Sequence, residues 1–86
     1  MAHIKQQMKR NLTNEKRRLR NASFRSSVRT AMRAVEAAVE ANDKEKAQEM
    51  LRSAHKKLDK GQAKGIYHKN YVGRHKSNLT RMVNGL

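Results

Sequence analysis

For its first 60 residues this chain contains nothing that obliges a helix to stop. Proline is absent throughout, and the first glycine is Gly61. Proline would remove a backbone donor and clash with the preceding turn. Glycine would cost about 1 kcal/mol against alanine in a helix interior. β-Branched residues never cluster, and strict apolar–polar alternation is missing, so strands are not expected. An all-α fold is the reading that remains.

Apolar spacing assigns the faces. Phe24, Val28, Ala31, Met32, Val35 and Val39 recur at intervals of three and four. On a helical wheel they fall within roughly 100° of one another. Ala47, Leu51, Ala54 and Leu58 form a second stripe, with Met50 at its edge. Val72, Leu79, Val83 and Leu86 form a third, bordered by Met82. Three one-sided helices can bury these stripes only against each other. The expected architecture is an antiparallel three-helix bundle, a single domain over residues 1–86.

The junctions fit this division. Asn42-Asp43 interrupts an alanine-rich run. Either residue can cap the second helix, and Asn42 with Glu45 has capping-box spacing. Lys64-Gly65 suits a helix C-terminus, with Gly65 in the left-handed position. Gly61 is expected to be tolerated within the second helix at some cost. The third helix should begin between Tyr67 and Lys69.

The helices are unequal. A first helix from about Lys5 to Ala41 would span ~55 Å, and a second from about Asp43 to Lys64 only ~33 Å. Ile4, Met8, Leu12 and Leu19, in the first helix's free half, lie about 120–200° from Val28 on the same wheel. Residues 1–22 are therefore expected to form a basic N-terminal arm or rod outside the bundle core, with the bundle in residues 23–86.

Charge says what such a rod would lie on. The chain has 86 residues, 21 Lys+Arg against 7 Asp+Glu, and a formal net charge of +14. That excess attracts polyanions and repels itself in the compact state. Residues 1–33 carry net +9, residues 34–55 net −2, and residues 56–86 net +7. The turn between helices one and two should face away from a polyanion. Lys5, Lys9, Arg10, Lys16, Arg17, Arg18, Arg20, Arg25, Arg29 and Arg33 make up the first block. Arg18, Arg25, Arg29 and Arg33 share one side of the wheel beside the core stripe, a spacing at which like charges repel. Phosphates between them would offset that repulsion, and arginine's planar fork suits bidentate phosphate contact. Asn11, Asn14, Asn21, Ser23, Ser26 and Ser27 are short donors among them that can reach backbone oxygens. The second block, GIYHKNYVGRHKSN, sets His68, Lys69, Arg74, His75 and Lys76 beside Tyr67 and Tyr71. Rings among cations can stack on unpaired bases. They can equally staple a helix start and pad a bundle edge.

Other chemistries are poorly supported. Cysteine is absent, so there is no disulfide framework or thiolate metal site. His68 and His75 stand ~10 Å apart along a helix, too far for one metal ion. No glycine-rich phosphate loop occurs, and so thin a core cannot wall a catalytic pocket. No enzyme activity, cofactor or small-molecule substrate is expected. No apolar run approaches the ~20 residues of a membrane span, and MAHIKQQMKR lacks a signal-like apolar stretch. A cytoplasmic location without membrane association is the expectation.

The segments NEKRRLRNASFRSSVRT, AAVEANDKEKAQ and LDKGQAKGIYHKNYVGRHKSNLT, in this order, resemble the bacterial ribosomal protein S-twenty family of the small subunit. The likeness runs over essentially the whole chain. Its most specific piece is AKGIYHKN followed by RHKSNL. The resemblance implies a three-helix bundle with an extended, protruding basic first helix. It implies a monomeric structural constituent of the small ribosomal subunit among other subunit components, binding the 5′ domain of ribosomal RNA directly and joining early in assembly. By matching position it carries RNA contact to Asn21, Arg25, Ser26, Arg29 and Thr30, and to Lys64, Gly65, His68, Lys69, Asn70, Arg74, Lys76, Ser77 and Leu79. The chain departs from the family at His3, where asparagine is usual, at Tyr67 and Tyr71, and at Gly73, where alanine is common. Two rivals stand beside this reading: a nonspecific DNA or nucleoid-binding protein, and a membrane-surface peptide. The second would need a larger apolar face than Ile4, Met8, Leu12 and Leu19 provide.

Overall fold

The computed structural model describes the backbone of residues 2–86 and the side chains of residues 12–86. It consists of three helices: α1 (Ala2–Glu40), α2 (Lys44–Ala63) and α3 (Lys69–Asn84). No strand occurs among the described residues. At 39 residues, α1 is about 58 Å long, and the molecule measures 63 × 22 × 13 Å. α2 and α3, with 20 and 16 residues, cover only the C-terminal part of α1.

Both turns are built the same way. Asn42 adopts φ 55°, Asp43 N–H donates to the Ala38 carbonyl (3.1 Å), and Asn42 N–H donates to that of Val39 (3.0 Å). Gly65 adopts φ 75°, Ile66 N–H donates to the Gly61 carbonyl (2.9 Å), and Gly65 N–H donates to that of Gln62 (3.0 Å). Each is a Schellman closure, with a left-handed residue just past the helix end satisfying the last carbonyls. Gly65 occupies the position expected of it. Asn42 does not cap α2. It closes α1, one of few non-glycine types that tolerates the left-handed region, and the cap is Asp43, whose Oδ1 accepts from Lys46 N–H at 3.2 Å. His68 caps α3, its Nδ1 accepting from Asn70 N–H at 3.1 Å.

The helices run antiparallel. Ser27 of α1 meets Lys57 of α2, and three residues earlier Phe24 meets Gly61. On the other side, His55 meets Thr80 and Asp59 meets Lys76. Val28, Val35, Ala38, Ala47, Ala54, Leu58, Val72, Leu79 and Val83 form the buried core. Phe24, Ala31, Met32, Val39, Met50, Leu51, Tyr67 and Leu86 pack half-buried around it. The three stripes thus meet as the wheel predicts, with one shift: Ala38 rather than Val39 is the buried residue at the turn end of α1. A small residue there lets α1 and α2 approach where they join. No polar or charged side chain is buried among the described residues.

Gly61 is buried inside α2. An added Cβ would lie 2.5 Å from Cδ2 of Tyr67 and 2.9 Å from Cε1 of Phe24. The missing side chain is the seat of the Tyr67 ring, which accounts for a glycine that helix propensity alone disfavours.

Candidate nucleic-acid interface

Every side chain from Leu12 to Ser23 is exposed, because neither α2 nor α3 reaches that far along α1. Leu12 and Leu19 are 60% and 66% exposed. Lys16, Arg17, Arg18, Arg20 and Asn21 project from this stretch. Glu15, the one acidic residue in it, stands 4.0 Å from Arg18 in a fully solvated pair, which is worth little. Lys5, Lys9 and Arg10, with Ile4 and Met8, have side chains outside the described residues.

Arg25, Ser26, Arg29 and Arg33 continue the basic face over the bundle, all exposed. Thr30 Oγ1 donates to the Ser26 carbonyl at 3.0 Å, a back-bond within α1 that does not engage the Ser26 hydroxyl. Ser27, expected among the short donors of this face, instead accepts a 2.6 Å hydrogen bond from Lys57 Nζ. That bond ties α1 to α2.

The fold joins the two basic blocks that the sequence keeps apart. Arg17, Arg20, Asn21 and Phe24 of α1 line one shallow groove with Lys64 and Ile66. The Lys64 ammonium sits 5.1 Å above the Phe24 ring, a cation–π contact that holds the α2–α3 turn against α1. Farther along, Arg29, Met32, Arg33 and, at its end toward the α1–α2 turn, Glu36 face His75, Asn78, Leu79 and Met82 of α3 across a second groove. One positively charged surface therefore runs from the exposed half of α1, past the turn, and onto α3.

Three expected site residues of the C-terminal block use their side chains in intramolecular hydrogen bonds. Lys76 Nζ donates to Asp59 Oδ1 at 2.9 Å, a half-exposed ion pair. His68 spends its Nδ1 on the α3 cap. Ser77 Oγ accepts from Arg81 Nη2 at 2.8 Å. Lys69, Asn70 and Arg74 are exposed on the first turns of α3.

The aromatic residues form a ladder along α3. Phe24 and Tyr67 meet tilted, ring centroids 6.4 Å apart. Tyr67 and Tyr71 stack at 4.5 Å and 15°. Tyr71 and His75 follow at 4.3 Å and 51°. Tyr67 belongs to the bundle, whereas Tyr71 is 38% exposed. Burial pushes the Tyr67 hydroxyl pKa above its ordinary value of 10.0, and Tyr71 adds to the shift; the Arg25 and Arg29 guanidiniums oppose it. Those two arginines therefore lie near the start of α3, a proximity the sequence does not reveal. A signal for the seat did exist, in a glycine within an otherwise uninterrupted helix and six residues before a tyrosine.

The acidic residues Glu36, Glu40, Asp43, Glu45 and Glu49 gather about the α1–α2 turn. Among the described residues no His/Asp/Glu group could hold a metal ion, and no helix is long and apolar enough to cross a membrane.

Comparison with known proteins agrees with this geometry. Residues 2–84 match the family model described as ribosomal protein S20. The chain is 66% identical to the small ribosomal subunit protein bS20 of Acholeplasma laidlawii, over the full length of both. It is 56% identical to the protein of that name from Phytoplasma mali, over 100% of this chain and 99% of the relative. It is 55% identical to that of Mycobacterium avium, again over both full lengths.

Proposed function

The chain belongs to the ribosomal protein S20 family, and from that premise we propose that it is a structural, non-catalytic constituent of the small ribosomal subunit, acting in the cytoplasm and binding ribosomal RNA directly. The observation that carries the reading is the single basic surface running from exposed α1 across Lys64 to α3. Phosphate contact fixes register and orientation on RNA, and arginine forks, short amides and hydroxyls are its usual donors. Residues 1–22 lie along the RNA as a rod, and residues 23–86 form the bundle that anchors it. Lys16, Arg17, Arg20, Asn21, Arg25, Arg29, Arg33, Lys64, Lys69 and Arg74 are the expected phosphate and sugar contacts. Lys76, His68 and Ser77 are expected contacts as well, each exchanging or sharing its intramolecular partner on binding. The acidic turn faces away from RNA. The 5′ domain of the small-subunit RNA is the expected target, bound as a monomer early in assembly.

The test is a hydroxyl-radical footprint of a 5′-domain transcript with the full chain. Discrete protections that survive an excess of duplex DNA support the proposal. Displacement by an equal charge of duplex DNA would favour a nonspecific nucleic-acid binder instead.

A further inference from the structure

The surface described so far accounts for phosphates, but α3 carries groups of a different chemistry. Asn70, Tyr71, Arg74 and His75 line a notch on its outer face. Tyr71 takes no part in the core, whereas Phe24 and Tyr67 both pack against it. Its position is nevertheless fixed. Tyr67 is seated over Gly61, Tyr71 stacks on Tyr67 nearly parallel, and His75 closes on Tyr71 at a 51° tilt. The tilt ends the stack, and with centroids 4.3 Å apart the last two rings touch, so what remains open is the exposed part of Tyr71, which is 38% exposed, beside the notch. Asn70 offers an amide with both donors and an acceptor there, and Arg74 a guanidinium plane. Arg29 and Arg33 approach His75 from across the α1–α3 groove. Aromatic rings, a guanidinium plane and an amide, bordered by cations, are the groups that hold a splayed nucleobase and its flanking phosphates.

We propose that the Asn70–Tyr71–Arg74–His75 notch captures one unpaired RNA base, packed against the exposed part of Tyr71 and the Arg74 guanidinium. The proposal rests on the RNA-binding reading and adds a base-contacting site to a surface otherwise suited to phosphate. The ring ladder prepays the ordering of Tyr71, so the base meets a surface already fixed by folding.

Tyrosine emission reports on the site, because the chain has two tyrosines and no tryptophan. The probes are an eight-nucleotide oligoadenylate RNA and an abasic ribose-phosphate strand of the same length and charge, each titrated into the full chain. Oligoadenylate is expected to quench tyrosine emission and to bind roughly 5- to 150-fold tighter than the abasic strand, the range for one stacked base. Tyr71→Leu should bring that ratio close to one without changing affinity for the abasic strand, and Tyr71→Phe should preserve it. Helical circular dichroism of both variants checks folding. Equal affinity of the unaltered chain for the two strands overturns base capture and leaves phosphate binding standing. So does a ratio that survives Tyr71→Leu. Failure to bind either strand, with the 5′-domain transcript still bound, overturns it as well.

Discussion

Gly61→Ala sets helix propensity against packing at a single carbon. Alanine should favour α2 by up to about 1 kcal/mol. Its Cβ, however, would overlap the Tyr67 ring and crowd Phe24, and overpacking of this kind costs about 1–3 kcal/mol. Packing should win, and urea melts should show a less stable protein. In a Tyr67→Ala background the same substitution should cost markedly less. A stabilised Gly61→Ala protein would mean that the ring is not seated there. Leu58 is fully buried, and Leu58→Ala should cost about 2–5 kcal/mol, a large part of the ~5–15 kcal/mol available to a small domain. An unchanged melting temperature would show that its stripe is not core. Tyr67 adds a pH dependence. Its pKa is raised in the fold, chiefly by burial, so its contribution is fully present below its unfolded pKa. It is lost as pH rises through the higher folded value. Stability should therefore fall above about pH 10, the unperturbed value, and Tyr67→Phe should fall less over the same range. Parallel decline of the two proteins would remove Tyr67 as the cause.

The elements were largely legible before the structure because α-helical signals are local. Absence of proline, three periodic stripes and Gly65 are all readable within a turn or two of the residue concerned. Asn42 and Asp43 could not be told apart as the α2 cap for the same reason. As a capping residue and as a left-handed closer Asn42 offers identical local chemistry, and only the bonds from Asp43 and Asn42 back into α1 decide between the two. The site was legible as a set of charges but not as a surface. Nothing local places Arg17 and Arg20 beside Lys64, or Arg29 beside His75, since those contacts depend on how three helices cross. The Ser27–Lys57 bond was missed because neither residue is unusual alone. The exposed half of α1 is where element and function separate most clearly. It buries nothing from Leu12 to Ser23, so deleting residues 2–16 should leave the melting of the bundle nearly unchanged. The same deletion removes Lys5, Lys9, Arg10 and Lys16. It should weaken RNA binding by roughly tenfold or more if those cations neutralise phosphates. Unfolding of the bundle on that deletion would refute the division of α1 into a core half and an RNA half. Amides of residues 12–23 should also exchange more slowly in the RNA complex than in the free protein. Like-charged pairs such as Lys16–Arg20 and Arg17–Arg20 repel until phosphates lie between them, and a helix that buries nothing depends on such side-chain pairs. Equal protection in both states would reject coupling of helix order to binding.

Across the whole molecule, net charge is distributed rather than merely large. Net +9 lies in residues 1–33 and net +7 in residues 56–86, with net −2 between them. The fold places the acidic segment at the α1–α2 turn and merges the two basic segments along one surface. Binding to a polyanion through such a surface releases condensed counterions, so affinity should depend steeply on salt. If six to ten phosphates are contacted, the association constant should fall by about 10³–10⁵ between 50 and 200 mM salt, taking the duplex-DNA slope as a guide. Where the phosphates sit can be read from the same experiment. Arg17→Ala, Arg20→Ala and Lys64→Ala remove cations that the structure groups around one groove, and each should lower the slope of log affinity against log salt by about one. Glu45→Gln and Glu49→Gln change charge by the same amount at the opposite end and should leave the slope as it was. Slope changes of equal size in all five, downward for the three cations and upward for the two glutamates, would mean that net charge alone governs binding, wherever it lies. A response confined to the first three fixes the face of the molecule that meets RNA, because only a charge within about a Debye length of a phosphate, ~8–10 Å at about 0.1–0.15 M salt, can displace its counterion.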